Sequence, residues 1–241
     1  MPMLSERMME AYRRIERAMG FGRSRQWLQR RLAAPTAKLD FSTEHRSFLL
    51  RNKMIRDALP ERRCWILDVG SNTGETTRFL AASGHMVIGV EKFQEEYSEA
   101  VRKPQLGAGF LLAEVGSGFF EQAPSWDAIL LLSVLHRIYA SEGESVMRKV
   151  LEDCGKVAQN IFLEGSIRHS RYMDLGHEAP GFEDLQEASS FAWHKQLVDD
   201  CLGEDWKIID YKSLPCTENE PVRLYFHLRK EVRVNGEELV G

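Results

Sequence analysis

From residue 64 onward the sequence changes period. Short apolar runs at 64–69, 86–90, 110–113, 128–133 and 160–164 alternate with longer stretches whose apolar residues recur every three or four positions. A run that short, bounded by turn residues, is a strand, and the stretches between are long enough for crossover helices. Consecutive parallel strands need such crossovers, because a tight turn joins only antiparallel neighbours. The repeated order strand, helix, strand therefore predicts an α/β Rossmann-like, doubly wound and mostly parallel sheet. Helices are predicted over 73–82, 95–102, 142–157 and 182–201. Two last runs, 206–211 and 222–228, flank the polar segment 217–221 and read as a hairpin-like pair of strands.

The first sixty residues follow another pattern. Residues 5–33 and 43–58 carry apolar positions at helical spacing, with Met8, Tyr12, Ile15 and Met19 in the first and Phe48, Leu49 and Ile55 in the second. Pro35 interrupts this region and Pro60 closes it. Residues 1–63 hold 15 Lys and Arg against 7 Asp and Glu, leaving 17 against 29 for the remainder, so a basic part (+8) precedes an acidic one (−12). The expected organisation is a basic helical N-terminal extension over 1–60, one domain over 61–231 and a tail over 232–241. The extension suits the acidic body of its own chain or, through peripheral contact, an anionic membrane surface. Nucleic acid is the less favoured partner, since Trp27 and Tyr12 are nearly the only stacking residues besides phenylalanine there.

The longest apolar stretch, 128–135, is far short of the roughly 20 residues a membrane span needs. Charges at Glu6, Glu10, Arg13, Arg14, Glu16 and Arg17 break up any secretory apolar core, so a cytoplasmic chain is expected. Cys64, Cys154, Cys201 and Cys216 form no Cys-x-x-Cys pair, which argues against a zinc knuckle, a dithiol redox pair or a disulfide framework. Nothing in the sequence calls for a metal.

The chemistry concentrates in Asp68-Val69-Gly70-Ser71-Asn72-Thr73-Gly74-Glu75, where an apolar strand runs into a glycine-bearing turn and a helix. Gly70 and Gly74 let the backbone turn tightly and approach a ligand, and Asn72 or Thr73 can cap the helix. A phosphate-binding P-loop needs Lys after its last glycine, and here Glu75 stands there. The dinucleotide fingerprint needs glycine where this chain has Asn72 and Glu75. Carboxylates around the turn repel phosphate and favour a cation.

This run resembles motif I of the class I S-adenosylmethionine-dependent methyltransferases, in which a strand ends in an acid before a glycine-rich turn. The resemblance extends over about residues 63–231 and implies S-adenosyl-L-methionine as cofactor, bound by Asp68, Gly70, Asn72 and Gly74. In the family an acid at the tip of the second strand takes the ribose hydroxyls, and Glu91, 23 residues after Asp68, matches it; Glu91 would also fit the ribose of NAD. Glu114 falls where the family often places an acid near the adenine amino group. Trp126 to His136 resembles the fourth strand, which puts Ser133 and His136 at its ligand-facing end, and the terminal strand pair resembles the reversed last strand of that fold. The implied activity is methyl transfer to an O or N nucleophile of an acceptor that is a small molecule or carries an anionic group. His136 or Glu164 would serve as catalytic base, and Arg168, His169 and Arg171 would hold the acceptor's anionic group. A non-catalytic protein that binds the same cofactor is the alternative, and an NAD-dependent oxidoreductase is disfavoured by Asn72 and Glu75.

Overall fold

The computed structural model describes residues 41–231 except 117, 122, 174–177 and 218–219. Residues 1–40 of the extension expected over 1–60, and the tail over 232–241, lie outside the described residues. In chain order the elements are α1 (Phe41–Ala58), β1 (Trp65–Val69), α2 (Glu75–Ala82), β2 (Met86–Glu91), α3 (Gln94–Val101), β3 (Ala108–Leu112), β4 (Trp126–Leu132), α4 (Leu135–Glu142), α5 (Glu144–Val157), β5 (Ala158–Ser166), a 3₁₀ turn (His169–Arg171), α6 (Glu187–Leu202), β6 (Trp206–Thr217) and β7 (Glu220–Lys230). The seven strands form one sheet in the order β3-β2-β1-β4-β5-β7-β6. The first five are parallel, and β7 enters antiparallel between β5 and β6. This is the expected doubly wound sheet with a reversed last strand.

Alternation along each strand splits the core in two, because successive side chains of a strand point to opposite faces. Leu67 and Val69 of β1, Ile129 and Leu131 of β4, and Phe226 and Leu228 of β7 pack with Leu135, Ile138 and Tyr139 of α4, Met147 and Leu151 of α5, and Leu197 of α6. Their neighbours Ile66, Ala128, Leu130, Phe162 and Tyr225 face the other way, against Ile55 of α1 and Leu80 of α2. Each fully buried Leu or Ile contributes about 1.5–3 kcal/mol. Such two-sided burial explains why these strands read as continuous apolar runs rather than alternating ones.

Helix α1 belongs to this core, with Ile55 fully buried beside Cys64, Ile66 and Leu214. The boundary expected at residue 60 therefore moves to the N-terminal side of residue 41: the compact unit begins at Phe41. Two other boundaries differ for physical reasons. Helix α4, absent from the sequence reading, breaks from α5 at Gly143, whose φ of +89° ends one helix and starts the next. Helix α6 starts at Glu187, five residues later than expected, because the chain first turns through Leu185 at φ +58°. The last two strands are also longer than predicted: the ladder runs on to Pro215↔Val222 and Thr217↔Glu220. A proline is tolerated there because β6 is the edge strand.

Candidate active site

From β1 the chain winds to β2 and β3 on one side of the sheet and then returns to β4 on the other. Open parallel sheets bind ligands beyond the carboxyl ends of their strands at such a switch of direction. Here β1 delivers the glycine turn. Gly70 adopts φ +68°, and a Cβ on it would stand 2.7 Å from Val134 Cγ2. Its N–H and that of Ser71 donate to the Val90 carbonyl at 2.8 and 3.0 Å, which ties the turn to the tip of β2. Gly74, at φ +77°, lies so close to the Phe110 ring that a Cβ would come within 2.5 Å of it. It is also the N-cap of α2, and neither Asn72 nor Thr73 caps the helix: Asn72 Oδ1 accepts from the Thr73 N–H at 2.7 Å instead. Asn72 and Ser133 hold φ of 52° and 58°. Non-glycine residues rarely adopt such angles, and they cluster at functional sites.

Glu91, at the end of β2, is 6% exposed. Its Oε2 accepts the Asn72 N–H at 2.8 Å, and its Oε1 accepts those of Lys92 and Phe93 at 2.8 and 3.0 Å. Three backbone donors fix the carboxylate, and Oε2 keeps acceptor capacity for a ligand hydroxyl. Asp68 is 3% exposed and accepts the Thr77 hydroxyl on Oδ2 at 2.6 Å. Burial pushes its carboxyl up to about 6; the nearby Glu91 charge acts in the same direction, and Thr77 and Arg51 oppose it only in part.

These groups line a cavity of about 320 Å³, within the range of small-molecule sites. Five carboxylates, Asp68, Glu75, Glu91, Glu96 and Glu142, line it against three cations, Arg51, Lys92 and Arg137. Ser71 Oγ is buried at the wall without a hydrogen-bond partner among the described residues. Acidic walls, an oriented carboxylate and spare hydrogen-bonding capacity fit a cationic, hydroxyl-bearing ligand better than a pyrophosphate.

A second cavity, of about 170 Å³, shares Phe48 and Arg51 with the first and is otherwise walled by Ser47, Glu164, Leu214, Pro215, Cys216 and Arg223. Its centre is an ion-paired triad. Glu164 Oε2 meets Arg51 Nη1 at 2.5 Å, and Oε1 meets Arg223 Nη1 at 2.9 Å. The Ser133 hydroxyl donates to Glu164 and accepts from Arg223. Burial alone would raise the Glu164 carboxyl, but Arg51, Arg223 and Ser133 outweigh it and hold it at about 2.

The residues expected from the sequence divide accordingly. Asp68, Gly70, Asn72, Glu91 and Ser133 meet in the first cavity, while Gly74 shapes its loop from behind. Glu114 does not line it; its exposed side chain pairs with Lys92 at 3.0 Å. Glu164 lies in the second cavity, but a carboxylate held at about 2 by two guanidiniums is an anchor and too weak a base for neutral pH. His136 lines neither cavity. It is 3% exposed, edge-on to Tyr172 at 5.8 Å, and burial, reinforced by Arg223, Arg171 and Arg137, drives its pKa well below the ordinary histidine value. Arg168, His169 and Arg171 line neither cavity either, and His169 is engaged with the Phe182 carbonyl and Asp184. Sequence reasoning missed Arg51, Thr77 and Arg223. Only Thr77, in the first turn of a helix after the acidic strand, carried a local signal.

No family model and no curated protein matches the sequence. Solved structures do. The magnesium protoporphyrin IX methyltransferase ChlM from Synechocystis PCC 6803, crystallised with bound SAH, superposes with a TM-score of 0.59 at 13% identity, over 86% of this chain and 95% of that one. A SAM-dependent methyltransferase from Methanosarcina mazei gives 0.56 at 15% identity, over 75% and 98%. This chain has the class I methyltransferase fold. The bifunctional kinase-methyltransferase WbdD also matches, with a TM-score of 0.56 at 19% identity over 81% of this chain and 41% of that one, so the chain spans about two-fifths of WbdD. At these identities the class I methyltransferase fold is what is shared. Among the described residues no helix is long and apolar enough to cross a membrane.

Proposed function

We propose that this protein is an S-adenosylmethionine-dependent methyltransferase acting on an O or N nucleophile of a small acceptor. The observation that carries the proposal is the acidic first cavity, where Glu91, oriented by three backbone N–H groups, faces the turn from Asp68 to Gly74. When bound there, S-adenosylmethionine supplies an activated methyl group on a sulfonium, so the chain's work is positioning and exclusion of water.

Each residue's role follows from its place. Glu91 receives the ribose hydroxyls. Asp68, buried and only partly compensated, attracts the ammonium and sulfonium end. Gly70 and Asn72 bring backbone close to the ligand, and Gly74 keeps the turn against Phe110. Ser133 stands where the first cavity meets the triad, linked to Glu164 and Arg223. Phe48 and Arg51 of α1 wall both cavities, which makes α1 the element that closes donor against acceptor.

Isothermal titration with S-adenosylmethionine and its demethylated product S-adenosylhomocysteine (SAH) tests the reading. Micromolar binding of both is expected, and absence of heat for either removes it. Turnover across an acceptor panel then separates an enzyme from a protein that only binds the cofactor.

A further inference from the structure

The second cavity is assembled from four separate elements: Arg51 on α1, Glu164 on β5, Leu214 to Cys216 on β6 and Arg223 on β7, with Ser133 of the first cavity bonded to Glu164 and Arg223. Its one carboxylate is spent on holding two guanidiniums, which are themselves only 15% and 14% exposed. Arg51 Nε is buried without a hydrogen-bond partner among the described residues. A planar guanidinium is suited to two-pronged recognition of a carboxylate or phosphate. The rest of the wall is mostly apolar, with Phe48, Leu214 and Pro215 beside Ser47 and Cys216, and at about 30 Å³ per water the space is roughly five or six waters. That describes a small group with one charged end.

We propose that the methyl acceptor presents a carboxylate or phosphate oxygen, fixed by Arg51 and Arg223 in this second cavity, and that this oxyanion is itself the nucleophile. The proposal deepens the methyl-transfer reading and rests on it. An oxyanion has no proton to lose, which suits a cavity whose only lining carboxylate among the described residues is committed to two arginines. In the transfer the oxygen lone pair forms the O–CH₃ bond as the S–CH₃ bond breaks. The electron pair of that bond stays on sulfur, which becomes a neutral thioether, and no proton is released. The acceptor leaves with one negative charge fewer, so its ionic hold on Arg51 and Arg223 weakens on reaction.

The test titrates the full chain, with and without saturating SAH, with hexanoate, hexyl phosphate, hexanol and hexylamine. One or both anions should bind at least about tenfold more tightly than hexanol and hexylamine, as expected for charge-assisted hydrogen bonds. The better anion identifies the source of the oxyanion. Arg223→Gln should weaken that anion about tenfold and leave SAH affinity within about threefold, since Arg223 does not line the first cavity. Retained SAH binding reports that the variant is folded; should it fail to fold, Arg223→Lys, which keeps the charge and loses the fork, is read by the same ratio. With S-adenosylmethionine present, mass spectrometry should find the bound anion methylated on oxygen. Hexylamine binding as well as the anions, anion binding indifferent to the Arg223 variant, or a bound anion left unmethylated overturns the proposal. Loss of SAH binding alone overturns the cofactor reading instead.

Discussion

Asp68 and Glu164 end neighbouring parts of one sheet and are equally buried, at 3% and 4% exposure, yet they titrate in opposite directions. Asp68 is pushed up to about 6 because burial outweighs one hydroxyl and a more distant Arg51. Glu164 is pulled down to about 2 because two guanidiniums touch it directly. Burial sets the cost of each charge, and partners decide whether it is met. One carboxylate is left wanting a cation from outside the chain. The other is already neutralised and lends its charge to fixing two arginines. On the reading proposed above, the first cavity takes the cationic donor and the second the anionic acceptor.

The strongest way to break this contrast is Glu164→Ala. It strands two largely buried guanidiniums, and losing one partner of such a cluster costs about 3 kcal/mol or more. Thermal unfolding should show a Tm lower by on the order of 10 °C for a domain of this size, while SAH affinity falls far less than in the variants of the first cavity. The pH dependence carries a matching signature. Glu164 has a depressed folded-state value, so its stabilisation is present above about 4.5 and is lost as pH falls toward about 2. The variant should lack that acid-dependent component.

Gly70→Val reverses the pattern. The added side chain meets Val134 and forces an L-residue into φ +68°. We expect SAH affinity to fall about a hundredfold, equivalent to about 2.7 kcal/mol, with calorimetry as the readout and anion binding in the second cavity retained. Glu91→Ala is milder. It removes ribose acceptors and leaves three backbone donors to water, and SAH should bind about tenfold more weakly.

The two cavities also differ in how far the sequence disclosed them. The first takes its turn from one contiguous segment and the tip of the next strand, so Asp68, Gly70, Asn72 and Glu91 could be read from local pattern and spacing, whereas the walls it takes from α1 and α4 could not. The sheet was legible for the same reason: its apolar runs are set by burial on both faces. The triad joins residues 51, 164 and 223, with Ser133 bonded to it, and only the tertiary fold brings these together. Arg51 stands in a basic segment where one more arginine carries no signal, and Arg223 is one of three Lys or Arg residues in the terminal strand β7. His136 misled for a related reason. Position at a strand end suggested the pocket, but α4 begins one residue earlier and carries the ring into the core beside Tyr172. The arginines of 168–171 were chosen by density, which does not report direction.

The finest test of the contrast is pH, where Asp68 alone should control donor binding. The sulfonium and ammonium of S-adenosylmethionine favour the ionised carboxylate, so its affinity should be flat above about 6 and weaken below it, approaching about tenfold per pH unit, while SAH, which keeps the ammonium but not the sulfonium charge, should weaken less. The sign for stability is opposite. A carboxyl whose folded value is raised binds protons more readily when folded, so the ligand-free protein gains stability from this residue as pH falls from about 6 toward 3.8. Between pH 7 and 5 the ligand-free Tm should therefore rise from this contribution while calorimetric affinity falls. Asp68→Asn should flatten both trends at once. A variant that keeps the affinity decline would assign it to another group, and Asp68 would lose its role as the site's electrostatic anchor.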